Sequence, residues 1–158
     1  MGKTVIMFPG QGAQKIGMSQ EFYEKYKVSR DCFEKAENVT GLDMTNLIFK
    51  ENENLDKTEY TQAALVTTCL AITKEVENLG IKPDVAAGLS LGEYAAIVAA
   101  HGMTEKEAIV AVRKRGIFMN EAVPTDNPKK AGAMAAVLGM ETSKIEELIL
   151  DIEDVDIA

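Results

Sequence analysis

The stretch "AAGLSLGEYAA", residues 86–96, decides how the rest of the chain is read. Ser90 stands between Gly88 and Gly92, with the apolar "DVAAG" (84–88) before it and small residues after it. The pattern predicts a buried strand, a sharp turn, and a buried helix from Leu91 to about Ala100. Two roles are open to Ser90. With Glu93 it forms a Ser-x-x-Glu capping box, in which its hydroxyl would close the helix start. The same five residues are also the Gly-x-Ser-x-Gly pattern of a nucleophile elbow. A cap needs no glycine two residues to either side. An elbow does, because the turn is strained and neighbouring backbone comes close. In an elbow the Leu91 N–H faces a developing oxyanion, and the positive end of the helix favours it. The two roles are compatible, and the expectation is that Ser90 caps the helix whose dipole helps to activate it.

Upstream, "TVIMF" (4–8) predicts another buried strand, closed by the loop "PGQGAQ" (9–14). An oxyanion hole usually takes a second N–H from a separate loop. Gln11, flanked by Gly10 and Gly12, is the candidate donor; a plain strand-to-helix turn fits the loop equally. Residues 18–37 predict one or two surface helices. "LDMTNLIF" (42–49) predicts a short helix capped by Asp43. Residues 61–79 carry a stripe of Leu65, Cys69, Ile72, Val76 and Leu79, with Gly80 as the stop.

Downstream, Thr104 and Glu107 form a capping box for a helix running to about Ala122. On it Ala108, Ala111, Val112, Phe118, Met119 and Ala122 share a stripe with Arg115, while Arg113 and Lys114 lie off it. A guanidinium on an inward face must find an anion. That anion is either an internal carboxylate or the carboxylate of a substrate, which arginine grips in bidentate fashion. "TDNPKK" (125–130) reads as a linker, 131–140 as a third strand, Ser143-x-x-Glu146 as the cap of a helix to Leu150, and "DVDIA" as the start of a fourth strand. Strands alternating with helices predict an α/β fold with a parallel sheet over residues 1–124. Residues 125–158 would then open a smaller subdomain.

The bulk properties fit a soluble globular enzyme or module. The chain has 158 residues, 46% hydrophobic and 27% charged, with a net charge of −8. That charge argues against nucleic-acid binding, which needs a basic face. No run reaches the length of a membrane span, and no signal peptide is visible, so a cytoplasmic location and no membrane partner are expected. Cys32 and Cys69 read as buried free thiols. The single histidine, His101, follows the helix that Ser90 begins. At the helical rise it lies on the order of 15 Å away, too far to take the serine proton. The residues thus offer a nucleophile, an oxyanion loop and an anion clamp, but no base.

Four motifs in order and spacing carry a resemblance: "FPGQGAQ" (8–14), "YTQAAL" (60–65), "GLSLGEYAA" (88–96) and "RGIFMNEAVP" (115–124), continued by "GAMAAVLG" (132–139). They resemble the malonyl-CoA:acyl carrier protein transacylases of bacterial fatty-acid synthesis. The resemblance implies malonyl transfer from coenzyme A to Ser90, then to the phosphopantetheine thiol of acyl carrier protein. It implies no bound cofactor, malonyl-CoA as substrate, Gln11 and Leu91 as oxyanion donors, and Arg115 on the malonyl carboxylate. The implied fold is a larger α/β hydrolase-like subdomain with an inserted ferredoxin-like one.

Leu89 stands where the family often has histidine, and Ala63 where it often has proline. The family is about twice this length. The resemblance therefore implies that the catalytic histidine lies beyond Ala158, that the chain alone does not turn over, and that a separate chain could carry the C-terminal half. The competing readings are a serine hydrolase with the same elbow and a non-catalytic fragment of a split assembly. Arg113, Lys114, Lys129 and Lys130 are candidates for a small basic patch facing an acidic partner.

Overall fold

A computed structural model describes residues 2–122, 135–153 and 155–157. The chain divides into two compact units, the first ending at Val123 and the second beginning at Pro124. In the first, strand β1 (Val5–Phe8) is followed by helices α1 (Gln20–Lys25), α2 (Lys27–Thr40), α3 (Met44–Phe49) and α4 (Thr58–Asn78). Strand β2 (Val85–Gly88), helix α5 (Gly92–Ala99) and helix α6 (Glu105–Glu121) complete it. β1 and β2 pair in parallel, Val5 opposite Val85 and Phe8 opposite Gly88, with four helices in the crossover. The fold is α/β with a small parallel sheet.

Both strands were expected to be buried. They are half-buried instead: Phe8 is 6% exposed, but Val5 and Met7 are 53% and 78% exposed. Successive side chains of a strand point to opposite faces, and the helices of this unit pack on one of them. The 18–37 segment also departs from the surface helices expected. α2 buries Ser29, Cys32, Phe33 and Ala36, and Phe33 packs with Tyr23 and Phe49 in an aromatic cluster.

α4 is the centre of the core. Every residue from Thr61 to Ala71 is buried, so it is enclosed on all sides by α2, α5 and α6 rather than along the single stripe predicted. Two local predictions hold at atomic detail. Asp43 caps α3, accepting from the Asn46 N–H at 2.9 Å, and Thr104 with Glu107 forms the capping box of α6.

In the second unit, α7 (Thr142–Ile149) forms where a helix was predicted, but its N-cap is Glu141 and Ser143 lies inside it. The helix begins two residues earlier than the Ser-x-x-Glu pattern implies. Residues 135–140 and 155–157 form no strand, and no strand pairs with them among the described residues. A lone strand leaves its backbone groups unpaired and does not persist. The linker and residues 131–134 lie outside the described residues.

Candidate active site

The parallel pairing carries the two loops after the strands to one end of the sheet. The Leu89 N–H donates to the Phe8 carbonyl at 3.0 Å, extending the ladder one residue past the end of β2. Glycines allow the approach. A Cβ on Gly92 would lie 2.5 Å from the Phe8 carbonyl oxygen, and one on Gly88 would lie 2.2 Å from the Gly92 carbonyl carbon. Both are backbone contacts that no side-chain rotation relieves. The elbow thus sits directly on the strand end that leads into the 9–14 loop.

Ser90 adopts φ +49, a left-handed conformation that costs a non-glycine residue about 1–2 kcal/mol. This corrects the capping expectation. The N-cap of α5 is Leu91, and no side chain caps the helix. Ser90 contributes only its carbonyl, which accepts from the Glu93 N–H at 3.2 Å. Its hydroxyl is instead free of the helix and exposed at the surface.

Arg115 reaches that hydroxyl from α6. Its Nη2 donates to Ser90 Oγ at 3.4 Å and its Nη1 to Gln62 Oε1 at 2.8 Å. Arg115 is half-buried, and among the described residues no carboxylate lies within ion-pair distance of it. Of the two anions foreseen, the internal one is not found among the described residues. The rest of the predicted stripe is only partly inward. Ala108 and Val112 are buried and Ala111 is half-buried, whereas Phe118, Met119 and Ala122 are exposed; Ile109 and Gly116, off that stripe, are buried as well. The last turn of α6 runs past the helices that cover its middle.

Sequence reasoning missed Gln62. It is fully buried on α4, accepts from Arg115, and donates to Gln11 Oε1 at 3.5 Å and Met119 Sδ at 3.2 Å. A glutamine inside an enclosed stretch is a signal in itself, since a buried amide needs partners. Gln11 is closed from the other side, its Nε2 donating to Thr58 Oγ1 at 3.0 Å. Among the described residues, no acceptor pairs with the backbone N–H of Gln11 or of Leu91.

The alternative nucleophiles are disarmed by burial, which pushes the Cys32 thiol up to about 12 and the Cys69 thiol up to about 11. His101 is at the far end of α5, away from Ser90. Arg113 is not free for an acidic partner: it bonds the Glu59 carbonyl, pairs with the Glu59 carboxylate at 3.6 Å and covers the Tyr60 ring at 5.1 Å. Lys129 and Lys130 lie outside the described residues. Among the described residues, no group of three His, Cys, Asp or Glu side chains is placed to hold a metal, and no helix is long and apolar enough to cross a membrane.

Comparison with known proteins extends the resemblance. The family model described as an acyl transferase domain matches residues 5–158. A malonyl CoA-acyl carrier protein transacylase of Bacillus subtilis is 44% identical over 149 residues, which are 94% of this chain and 46% of the relative. The crystal structure of a malonyl CoA-acyl carrier protein transacylase from Clostridium perfringens superposes with a TM-score of 0.83 at 39% identity, covering 94% of this chain and 46% of that one. A malonyl-transacylase solved in complex with its type II PKS acyl-carrier protein superposes with a TM-score of 0.74 at 38% identity, covering 78% of this chain and 40% of that one. The chain spans about half the length of the curated relatives it matches.

Proposed function

The chain belongs to the acyl transferase domain family, and on that premise we propose that it carries the acyl-binding centre of a malonyl-CoA:acyl carrier protein transacylase. Ser90 Oγ attacks the thioester carbonyl of malonyl-CoA. The N–H groups of Gln11 and Leu91 hold the oxyanion, aided by the N-terminus of α5. Collapse of the tetrahedral adduct expels the coenzyme A thiol and leaves malonyl-Ser90. The phosphopantetheine thiol of acyl carrier protein then attacks the ester, regenerating Ser90 and forming the new thioester. Throughout, Arg115 grips the free malonyl carboxylate.

The observation that carries this reading is the Arg115 guanidinium, 3.4 Å from the serine hydroxyl and without a carboxylate partner among the described residues. A positive charge beside the nucleophile favours an acyl group bearing its own carboxylate. A serine hydrolase has no use for it. No histidine approaches Ser90, so general-base catalysis is assigned to none of the described residues, and this chain by itself is expected not to turn over. Residues 1–124 are read as part of the α/β hydrolase-like subdomain, and 125–158 as the start of a ferredoxin-like one. Within such an enzyme no cofactor is needed, a cytoplasmic setting is expected, and a separate chain could supply the missing base.

The test is intact-protein mass spectrometry after mixing with malonyl-CoA or acetyl-CoA. A malonyl adduct mapping to Ser90, absent from Ser90→Ala and favoured over acetyl, is the expected result. Equal labelling by acetyl-CoA, or labelling elsewhere, would overturn the assignment.

A further inference from the structure

Between the two halves of the site runs a chain of hydrogen bonds whose direction is set by one residue. Arginine has only donors, so Gln62 must turn its carbonyl oxygen to Arg115. Its NH2 then faces Gln11, which presents its own carbonyl. The Gln11 NH2 is left to point at the Thr58 hydroxyl, which accepts at 3.0 Å. Thr58 and Gln62 lie four residues apart on α4 and so share one helix face. They grip the Gln11 amide from both ends.

We infer that Thr58 is a positioning residue, holding the 9–14 loop in register with the Arg115 clamp through the side chain of Gln11. The inference rests on the proposed role of Gln11 as an oxyanion donor. Thr58 does no chemistry in this scheme. Its hydroxyl ends the relay, and so fixes where the Gln11 backbone N–H stands relative to Ser90.

The start of α4 is well suited to the task because α6 is bolted to it. A Cβ on Gly116 would lie 2.8 Å from the Thr58 carbonyl oxygen and 3.0 Å from Glu59 Cα, so the two helices touch backbone to backbone. Arg113 adds its bonds to Glu59 and its stacking on Tyr60. Thr58 therefore keeps a fixed place relative to Arg115, and Gln11 inherits that place through its amide. A neutral hydrogen bond of this kind is worth about fivefold in an equilibrium.

The test is NMR on the 158-residue chain with Thr58→Val and Thr58→Ser. In Thr58→Val the Gln11 side-chain NH2 resonances should move toward unbonded positions. The backbone order parameters of Gln11 and Gly12 should fall from about 0.85 toward 0.6 or below. Thr58→Ser should restore both, and Ser90 acylation by malonyl-CoA should slow about fivefold only in the valine variant. Unchanged Gln11 signals in Thr58→Val, or equal changes in both variants, would overturn the inference. Gln11→Met, which keeps the side-chain length and loses the amide, gives a second route: Gly12 should loosen as in Thr58→Val, and an ordered Gly12 would count against the relay. Failure of the unsubstituted chain to acylate would tell against the proposed function, while the Gln11 signals would still decide the role of Thr58.

Discussion

Helix α5 has a left-handed residue at each end, and neither is glycine. His101, at φ +60, follows its C-terminus; Ser90, at φ +49, precedes its N-terminus. The two conformations have different causes. At the C-terminal end the Gly102 N–H donates to the Ile97 carbonyl at 2.8 Å and the His101 N–H to Val98 at 2.9 Å. These are the two bonds of a Schellman stop, and they need a left-handed residue where His101 stands. At the N-terminal end no such account is available, because Leu91 is the N-cap and the Ser90 side chain caps nothing. Strain that helix geometry does not call for is instead spent on presenting a hydroxyl to Arg115. The surroundings differ to match. The serine end is packed backbone on backbone, while the histidine end opens onto a cavity of about 810 Å³ lined by Lys35, Lys74, His101 and Glu105.

The sharpest way to break this comparison is to add one methyl at each end. In Gly92→Ala the new Cβ meets the Phe8 and Pro9 carbonyl oxygens at 2.5 and 2.6 Å. Neither strand nor elbow can move aside, so a loss of about 3 kcal/mol or more is expected. In Gly102→Ala the nearest atom, at 2.8 Å, is the Ile97 Cγ2 methyl, which a side-chain rotation displaces. The expected cost is about 1 kcal/mol. Urea denaturation of both variants checks the order, and a reversed order would remove the claim that the elbow end is the rigid one.

Next in size is the clamp. Arg115→Ala should weaken malonyl-CoA binding 10- to 100-fold, about 1.4–2.7 kcal/mol, and leave acetyl-CoA binding nearly unchanged. Arg115→Lys should recover only part of the loss. A compact ammonium lacks the fork that bonds Gln62 and reaches Ser90 together. Calorimetric titration of both thioesters reads the difference. A similar loss for acetyl-CoA would mean that Arg115 holds the fold rather than the carboxylate.

The histidine end should instead carry the pH dependence. Burial pushes the Glu105 carboxyl up, but hydrogen bonds from Lys35 at 2.9 Å and Lys74 at 3.2 Å outweigh it and hold the carboxyl below its ordinary 4.5. Bonds from Thr104 hold Glu107 low as well. A carboxyl whose folded value is depressed lends stability above its unfolded value and loses it as pH falls through the folded one. Stability should therefore be flat near neutrality and decline below about pH 4.5. Glu105→Gln should make that decline shallower. Thermal melts across the acid range check it, and an unchanged acid limb in the variant would move the sensitivity elsewhere.

The two ends were also unequally legible in the sequence. Features made by neighbours in the chain could be read directly: the Asp43 cap, the Thr104–Glu107 box, and the strand-elbow-helix order around Ser90. The same logic misled where a second force competed. Ser90-x-x-Glu93 has the letters of a capping box, but the close approach of Gly88 and Gly92 to backbone forces the serine into a left-handed turn that cannot cap. Ser143-x-x-Glu146 failed more simply, the helix taking Glu141 as its start. The relay through Gln62 was least visible, because its partners come from the loop after β1 and from α6, far apart in sequence. What marked it was chemical: an amide among buried apolar neighbours on "YTQAAL". The exposure of Phe118 had no such mark, since a helical stripe predicts a face and not how far along it the neighbours extend.

The smallest effect bears most directly on why α5 has two left-handed ends. Glycine adopts that conformation without steric cost, so His101→Gly and Ser90→Gly should each gain a fraction of about 1–2 kcal/mol in the folded state, offset in part by the greater freedom of the unfolded chain. The net change should be a rise of the order of 0.5 kcal/mol in both. The two variants should part company in function. His101→Gly removes a side chain eleven residues from Ser90, beside the open cavity, and should leave malonyl labelling as it was. Ser90→Gly should be equally stable and inert. Equal gains in stability, with labelling kept in the first variant and lost in the second, would show that the same backbone strain ends a helix at His101 and serves chemistry at Ser90. A fall in stability for Ser90→Gly would mean that the hydroxyl, through Arg115, already compensates for its strained turn.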